Sequence, residues 1–197
     1  MKRTALLALA AATLVVGCDK KESPAATPSA PAPSAASTAA PTAAAKQEGL
    51  LDVGAEAPKI EAVAHNGQKV DLASFKGKPV VVYFYPKDDT PGCTVEAKGI
   101  RDEWPELRKA GAVVLGVSSD DNVSHRAFAS KYDLPFLLVP DAEHHIANAF
   151  GVPVSNGYAK RVTFLIDKGG KIAKVFPDVT PQGHAKELVA AITDLQG

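Results

Sequence analysis

The sequence predicts a mixed α/β domain in which a central sheet is flanked by helices. The strongest signal is the run from Pro79 to Tyr85, which is continuous in β-branched and aromatic residues, the pattern of a strand buried on both faces. After it, short apolar runs alternate with amphipathic stretches, as they do when strands and helices alternate along a chain. Towards the C-terminus, Asp167-Lys168-Gly169-Gly170 separates two β-rich runs, which predicts an antiparallel hairpin.

The first half of the domain begins with a hairpin and ends with a long helix. The predicted elements are a hairpin with strands at 59–64 and 68–72, a buried strand at 79–85 and a helix at 91–110. Thr90 suits the N-cap of this helix, Pro91 its first position and Gly111 its end. Cys93 is therefore expected in the first turn.

The second half continues the alternation of strands and helices. The predicted elements are strands at 112–118 and 136–139, helices at 123–132 and 143–150, a hairpin with strands at 162–166 and 171–175, and an amphipathic helix at 184–195. With the N-terminal hairpin, this order predicts a thioredoxin-like fold, a mixed sheet flanked by helices.

The composition of the chain excludes several classes of function. The chain has 22 Lys and Arg against 22 Asp and Glu, so it lacks the excess of positive charge that binds nucleic acid. Hydrophobic residues make up 46% and charged residues 22%, which is ordinary for a globular protein. Cysteine occurs only as Cys18 and Cys93, which excludes a disulfide scaffold and a four-cysteine zinc site. We therefore expect no nucleic-acid partner.

Residues 1–17 have the form of a signal peptide. Lys2 and Arg3 precede an uncharged run, rich in leucine and valine, that ends at Gly17. This run is shorter than the roughly 20 apolar residues that a membrane-spanning helix needs. Val15-Val16-Gly17-Cys18 resembles the lipobox of bacterial lipoproteins, which implies cleavage before Cys18 and a diacylglycerol on its sulfur. The alternative is an ordinary leader followed by an incidental cysteine.

Residues 18–48 are predicted to be a lipidated N-terminus and a disordered linker. From Ser23 to Ala45 the chain contains only Ala, Pro, Ser and Thr, which offer no side chain large enough to build a core. At about 3.1 Å per residue in extended polyproline form, this stretch reaches about 70 Å. The folded domain is then 49–197. The predicted location is extracytoplasmic, with the protein anchored to a membrane and facing the periplasm of a bacterium.

Cys93 is the strongest candidate for a reactive residue. A cysteine in the first turn of a helix faces unpaired backbone N–H groups and the positive end of the helix dipole, and both favour the thiolate. The thiolate is the nucleophilic form of cysteine. The alternative is a buried cysteine that acts as a small hydrophobic residue, so position alone does not decide between the two.

The residues around Cys93 form a family signature. Pro86, Thr90 and Cys93 are spaced P-x-x-x-T-x-x-C, which resembles the active-site signature of the peroxiredoxins. The stretch 90–95, followed by Gly99-Ile100-Arg101-Asp102, resembles the peroxiredoxin Q, or bacterioferritin comigratory protein, subgroup. The stretch 161–167 is similar to the second signature of the family, and the resemblance covers essentially all of 49–197.

This resemblance implies a thiol-dependent peroxidase of antioxidant defence and redox homeostasis, and it implies roles for four residues. Cys93 would attack a hydroperoxide and become a sulfenic acid. Arg161 would stabilise the thiolate and the leaving oxygen, Thr90 would hydrogen-bond the peroxide or the sulfur, and Pro86 would shield the sulfur from water. Arg101 is the competing guanidinium, but eight residues along a helix place it about 12 Å from Cys93.

One departure from the subgroup's pattern concerns the second step of the reaction. Many members carry a second cysteine five residues after the first, where this chain has Lys98. The resemblance therefore implies a one-cysteine mechanism, in which an external thiol or a thioredoxin- or glutaredoxin-type protein reduces the sulfenic acid. No cofactor or metal is expected, because the adjacent His144 and His145 are about 100° apart on a helix and cannot share an ion in the usual way.

Two other functions remain open for this sequence. A thiol–disulfide oxidoreductase of the same fold needs a C-x-x-C motif, whereas this chain has threonine at position 90 in Thr90-Pro91-Gly92-Cys93. A non-catalytic thioredoxin-like lipoprotein that binds a partner would have an unreactive Cys93.

Overall fold

The computed structural model of the chain describes residues 49–196. The strands are β1 (Glu61–Val63), β2 (Lys69–Asp71), β3 (Val80–Phe84), β4 (Val113–Ser118), β5 (Leu137–Pro140), β6 (Val154–Ser155), β7 (Tyr158–Ala159), β8 (Val162–Ile166) and β9 (Ile172–Phe176). The helices are α1 (Pro91–Asp102), α2 (Trp104–Lys109), α3 (Asn122–Tyr132), α4 (His145–Ala149) and α5 (His184–Asp194), with a 3₁₀ helix at Leu72–Phe75.

A five-stranded sheet in the order β5-β4-β3-β8-β9 forms the centre of the domain. Strand β3 runs parallel to β4 and antiparallel to β8, so the sheet is mixed. Tyr83 lies opposite both Gly116 and Thr163. A Cβ atom at Gly116 would lie 2.6 Å from the Tyr83 hydroxyl, which is why only glycine fits there.

The central strand separates two hydrophobic cores, because successive side chains of a strand point to opposite faces. One core receives Val80, Val82 and Phe84, and the other receives Val81, Tyr83 and Tyr85. The first core also contains residues of the N-terminal hairpin and α4, and the second contains residues of α1, α2, α3 and α5. Cys93 belongs to the second core.

The predicted fold is confirmed, including the N-terminal hairpin, the central strand and the C-terminal hairpin. The prediction of one helix over 91–110 is wrong, since α1 ends at Asp102 and α2 begins at Trp104. Pro105 explains the break, because proline has no N–H and its ring clashes with the preceding turn. The two-residue strands β6 and β7 and the 3₁₀ helix were not predicted.

The predictions for residues 1–48 lie outside the described residues. Within 49–196, no helix combines the length and the apolar composition needed to cross a membrane.

Candidate active site

Cys93 lies where the central strand turns into α1. A loop leads from Tyr85, directly after β3, to Thr90, which has an extended backbone and is the N-cap of α1. Cys93 is the third residue of the helix and is 2% exposed. Cys93 therefore belongs to the first turn of α1, whose leading N–H groups have no partners inside the helix. The buried strand and the sequence Thr90-Pro91 together fix this position.

The guanidinium of Arg161 contacts the sulfur. Arg161 directly precedes β8, the strand that pairs with β3, and its Nη2 donates to Cys93 Sγ at 3.1 Å. Its Nη1 donates to the Glu96 carboxylate, one turn after Cys93 on α1. One guanidinium therefore bridges a sulfur and a carboxylate in a site where the Arg161 side chain is only 16% exposed. Such a planar fork of donors suits two acceptors at once.

Burial controls the charge of this group of residues. It raises the pKa of Glu96 from 4.5 to about 7, against the opposing effect of Arg161. Burial also lowers the pKa of Arg161, but Glu96 and the Cys93 sulfur outweigh it, so the pKa lies above its ordinary value. Arginine therefore stays charged, whereas Glu96 changes its charge near neutral pH.

The other two residues of the signature lie in the loop before α1. Thr90 occupies the N-cap position, but its hydroxyl does not cap the helix and donates instead to the Lys87 carbonyl at 3.1 Å. The hydroxyl still has lone pairs that can accept a hydrogen bond from a ligand. Pro86 is half-buried directly after Tyr85. The structure thus brings Arg161 to the sulfur and keeps Thr90 and Pro86 in the adjoining loop.

Three other residues from the sequence analysis lie apart from the sulfur. Arg101 donates to Asp102 and to the Tyr132 carbonyl, at the far end of α1. Lys98 is exposed, and His145 pairs with the exposed carboxylate of Glu143. Within 49–196 there is no group of three or more His, Cys, Asp or Glu side chains placed to hold a metal ion.

The sequence analysis missed two buried polar groups near the site. His184 is fully buried, with Nε2 2.9 Å from the Thr163 hydroxyl, two residues beyond Arg161 on β8. Burial lowers the pKa of His184, so the neutral imidazole is favoured. The second group joins Asp88 to His125, 37 positions away in sequence. Neither pair has a local spacing that a sequence could reveal.

The fold and the site define a class of protein: a thioredoxin-like protein with a redox-capable cysteine at a helix N-terminus, whose sulfur is contacted by an arginine. The sequence model of the AhpC/TSA family matches residues 53–175. The chain is 45% identical over 149 residues to a protein of Coxiella burnetii that carries the name of a Bcp peroxiredoxin, covering 72% of this chain and 99% of that protein. Peroxiredoxin Bcp of Bacillus subtilis is 40% identical over 152 residues, covering 74% of this chain and 97% of the relative.

A solved structure agrees with these relatives. The bacterioferritin comigratory protein of Xanthomonas campestris superposes with a TM-score of 0.68 at 34% identity, covering 73% of this chain and 98% of that one. The chain therefore belongs to the AhpC/TSA family, in its peroxiredoxin Q/Bcp group. It is a thiol-dependent peroxidase.

Proposed function

We propose that Cys93 is the peroxidatic residue of this enzyme and that Arg161, Thr90 and Pro86 form its surroundings. The observation that carries the proposal is the contact between Arg161 Nη2 and the buried sulfur, 3.1 Å long. The guanidinium lies against the reacting sulfur and remains in place for the negative charge that develops on the leaving oxygen. Glu96 orients the guanidinium by accepting from its other nitrogen.

In the first step the thiolate attacks the terminal, hydrogen-bearing oxygen of a hydroperoxide. A sulfur–oxygen bond forms and the O–O bond breaks, so that Cys93 becomes a sulfenic acid and the other oxygen leaves as an alkoxide or hydroxide. Arg161 stabilises this leaving oxygen until it takes a proton. The Thr90 hydroxyl oxygen accepts from the peroxide O–H while its own O–H keeps donating to the Lys87 carbonyl. The bacterioferritin comigratory protein of Xanthomonas campestris has alkyl peroxide reduction activity, which supports organic hydroperoxides as substrates here.

In the second step an external thiol reduces the sulfenic acid. The thiol condenses with the sulfenic acid to a mixed disulfide and water, and a second thiol releases Cys93 and leaves as a disulfide. Cys93 is the only cysteine among residues 49–196, which supports a one-cysteine mechanism. A small thiol and a thioredoxin- or glutaredoxin-type protein both suit this step.

The test is to trap the sulfenic acid. The purified full chain is treated with one equivalent of hydrogen peroxide in the presence of dimedone, and the adduct is located by peptide mass. We expect rapid labelling of Cys93 at micromolar peroxide and none in Cys93→Ser. A folded wild-type chain that gives no adduct would sink the peroxidatic role and favour a non-catalytic binding module.

We also propose that the enzyme is anchored outside the cytoplasm by a lipid on Cys18. The support is the signal-peptide form of 1–17, the lipobox-like Val15-Val16-Gly17-Cys18 and the linker that follows. In a bacterium fed a labelled fatty acid, we expect the label on the wild-type chain and its recovery with membranes.

Cys18→Ala is expected to abolish this label and to release the protein from the membrane fraction. Cys93→Ser is the matched control, because it removes the other cysteine and should keep the label. Equal labelling of wild type and Cys18→Ala would rule out the anchor at Cys18.

A further inference from the structure

We propose that Asp88 is a positioning residue, which fixes the loop carrying Thr90 and Cys93 by anchoring it to α3. The inference rests on the proposed role of Cys93. It concerns a part of the site that the peroxiredoxin signature does not include, because Asp88 is one of the three residues between Pro86 and Thr90 that P-x-x-x-T-x-x-C leaves unspecified.

The carboxylate of Asp88 is the centre of a buried network. Asp88 is 6% exposed. Its Oδ2 accepts from the Ser124 hydroxyl at 2.7 Å and lies 2.9 Å from His125 Nδ1, and its Oδ1 accepts from the Tyr85 hydroxyl at 2.8 Å. Its own N–H donates to the Asp120 carboxylate at 2.8 Å. The loop is therefore held by Tyr85 directly after β3, by the start of α3 and by the turn between β4 and α3.

The chemistry of His125 supports a specific contact. A carboxylate only accepts hydrogen bonds, so the pairing with Asp88 requires the proton on His125 Nδ1. His125 is fully buried, and its Nε2 has no hydrogen-bond partner among the described residues. An unpaired buried nitrogen destabilises a core. Packing alone would therefore favour an apolar residue at position 125. The hydrogen bond to Asp88 is the interaction that histidine makes and an apolar residue could not.

The next residue provides a natural comparison. Asp89 also binds α3, with Oδ2 2.6 Å from Lys131 Nζ and Oδ1 2.6 Å from the Tyr132 hydroxyl. These contacts are exposed, since about half of each charged side chain faces solvent. Exposed ion pairs contribute little to the free energy of unfolding. Asp88 and Asp89 are thus neighbours in one loop that bind one helix, the first inside the protein and the second outside.

A positioning role affects two reactions of Cys93 differently. Reaction with a peroxide needs the sulfur, Arg161, the Thr90 hydroxyl and the first-turn N–H groups in register, and a misplacement of about 1 Å lowers such a rate by about 100-fold. Alkylation by iodoacetamide needs only a thiolate that the reagent can reach, so loosening the loop around the buried sulfur would keep or raise its rate. The ratio of the two rates therefore reports on loop geometry rather than on the presence of the sulfur or on global stability.

The experiment compares Asp88→Ala with Asp89→Ala in the full chain. Both carry Cys18→Ala, so that Cys93 is the single thiol. For Asp88→Ala we expect the peroxide rate to fall about 10- to 100-fold while the alkylation rate does not fall. For Asp89→Ala we expect both rates to stay within about threefold. Asp89→Ala is a stringent control because it also perturbs the backbone: Asp89 has φ 56°, a left-handed conformation that alanine adopts less readily than aspartate.

Two variants of His125 decide the question if Asp88→Ala does not fold. Asparagine can present a side-chain N–H near the position of Nδ1, whereas leucine fills the space without a donor. We expect His125→Asn to keep the ratio of rates within about threefold and His125→Leu to lower it at least about tenfold.

An unchanged ratio in folded Asp88→Ala, or in folded His125→Leu, would overturn the positioning role. If the wild-type chain itself did not react with peroxide at Cys93, the proposed function would fail first. The two failures are therefore distinguishable.

Discussion

Replacing Arg161 with glutamine is expected to lower the second-order rate of Cys93 with hydrogen peroxide by about 100- to 1,000-fold. The side chain that contacts the sulfur would lose its charge and its fork of donors, so both the thiolate and the leaving oxygen would lose stabilisation. The rate is measured by stopped-flow fluorescence or by competition with a second peroxidase. Arg161→Lys, which keeps the charge but not the fork, is expected to lie between glutamine and wild type.

Arg101→Gln is the matched control for this substitution. Arg101 is also an arginine and lies in the last turn of α1, but it binds Asp102 and the Tyr132 carbonyl and does not touch the sulfur. We expect its peroxide rate to stay within about twofold of wild type. A rate for Arg161→Gln within threefold of wild type would show that the guanidinium does not stabilise the transition state.

The dependence of stability on pH gives the second large effect, and it originates at Glu96. Its pKa is raised from 4.5 to about 7 in the folded protein by burial. The folded state therefore binds this proton more tightly than the unfolded state does. The resulting stabilisation is fully present below pH 4.5 and is lost as pH rises to about 7; the interval corresponds to about 3 kcal/mol in the free energy of unfolding.

Glu96→Gln isolates this contribution. Glutamine keeps an oxygen that accepts from Arg161 but cannot ionise, so the variant should lose less stability than wild type between pH 4.5 and about 7. His184 acts in the opposite direction: its lowered pKa gives stability that is present above the ordinary value and is lost on acidification. The measurement is therefore the difference between urea unfolding curves of the two proteins at several pH values. Parallel curves would mean that Glu96 has an ordinary pKa.

The sequence predicted the location of Cys93 better than the residues around it. A buried strand, Thr90 and Pro91 are local signals, and they placed Cys93 in the first turn of a helix, as observed. The break at Pro105 was also a local signal, but the start signals at Thr90 and Pro91 and the end signal at Gly111 suggested one continuous helix. Arg161 is 68 residues from Cys93, and without the family resemblance its position before a strand favours a solvated side chain.

The remaining polar groups depend on tertiary structure. Glu96 lies three residues after Cys93, so its face of the helix could be predicted, but its burial and its raised pKa depend on α1 packing against the sheet. Asp88 and His125 meet only because the loop after β3 crosses the start of α3. Charged and polar residues in such loops look like solvated ones in a sequence, which is why this network was not predicted.

The 2% exposure of Cys93 has a consequence for the timing of the catalytic cycle. Hydrogen peroxide is small enough to reach this nearly buried sulfur. A thiol on a protein has to approach in line with the bond it breaks, and the protein that carries it needs room behind it. The first turn of α1 must therefore open before a protein reductant can act. The rate of oxidation would then depend on how often peroxide reaches the site, whereas the rate of reduction by a protein would depend on how often the helix opens locally. The contacts around the first turn set that frequency of opening.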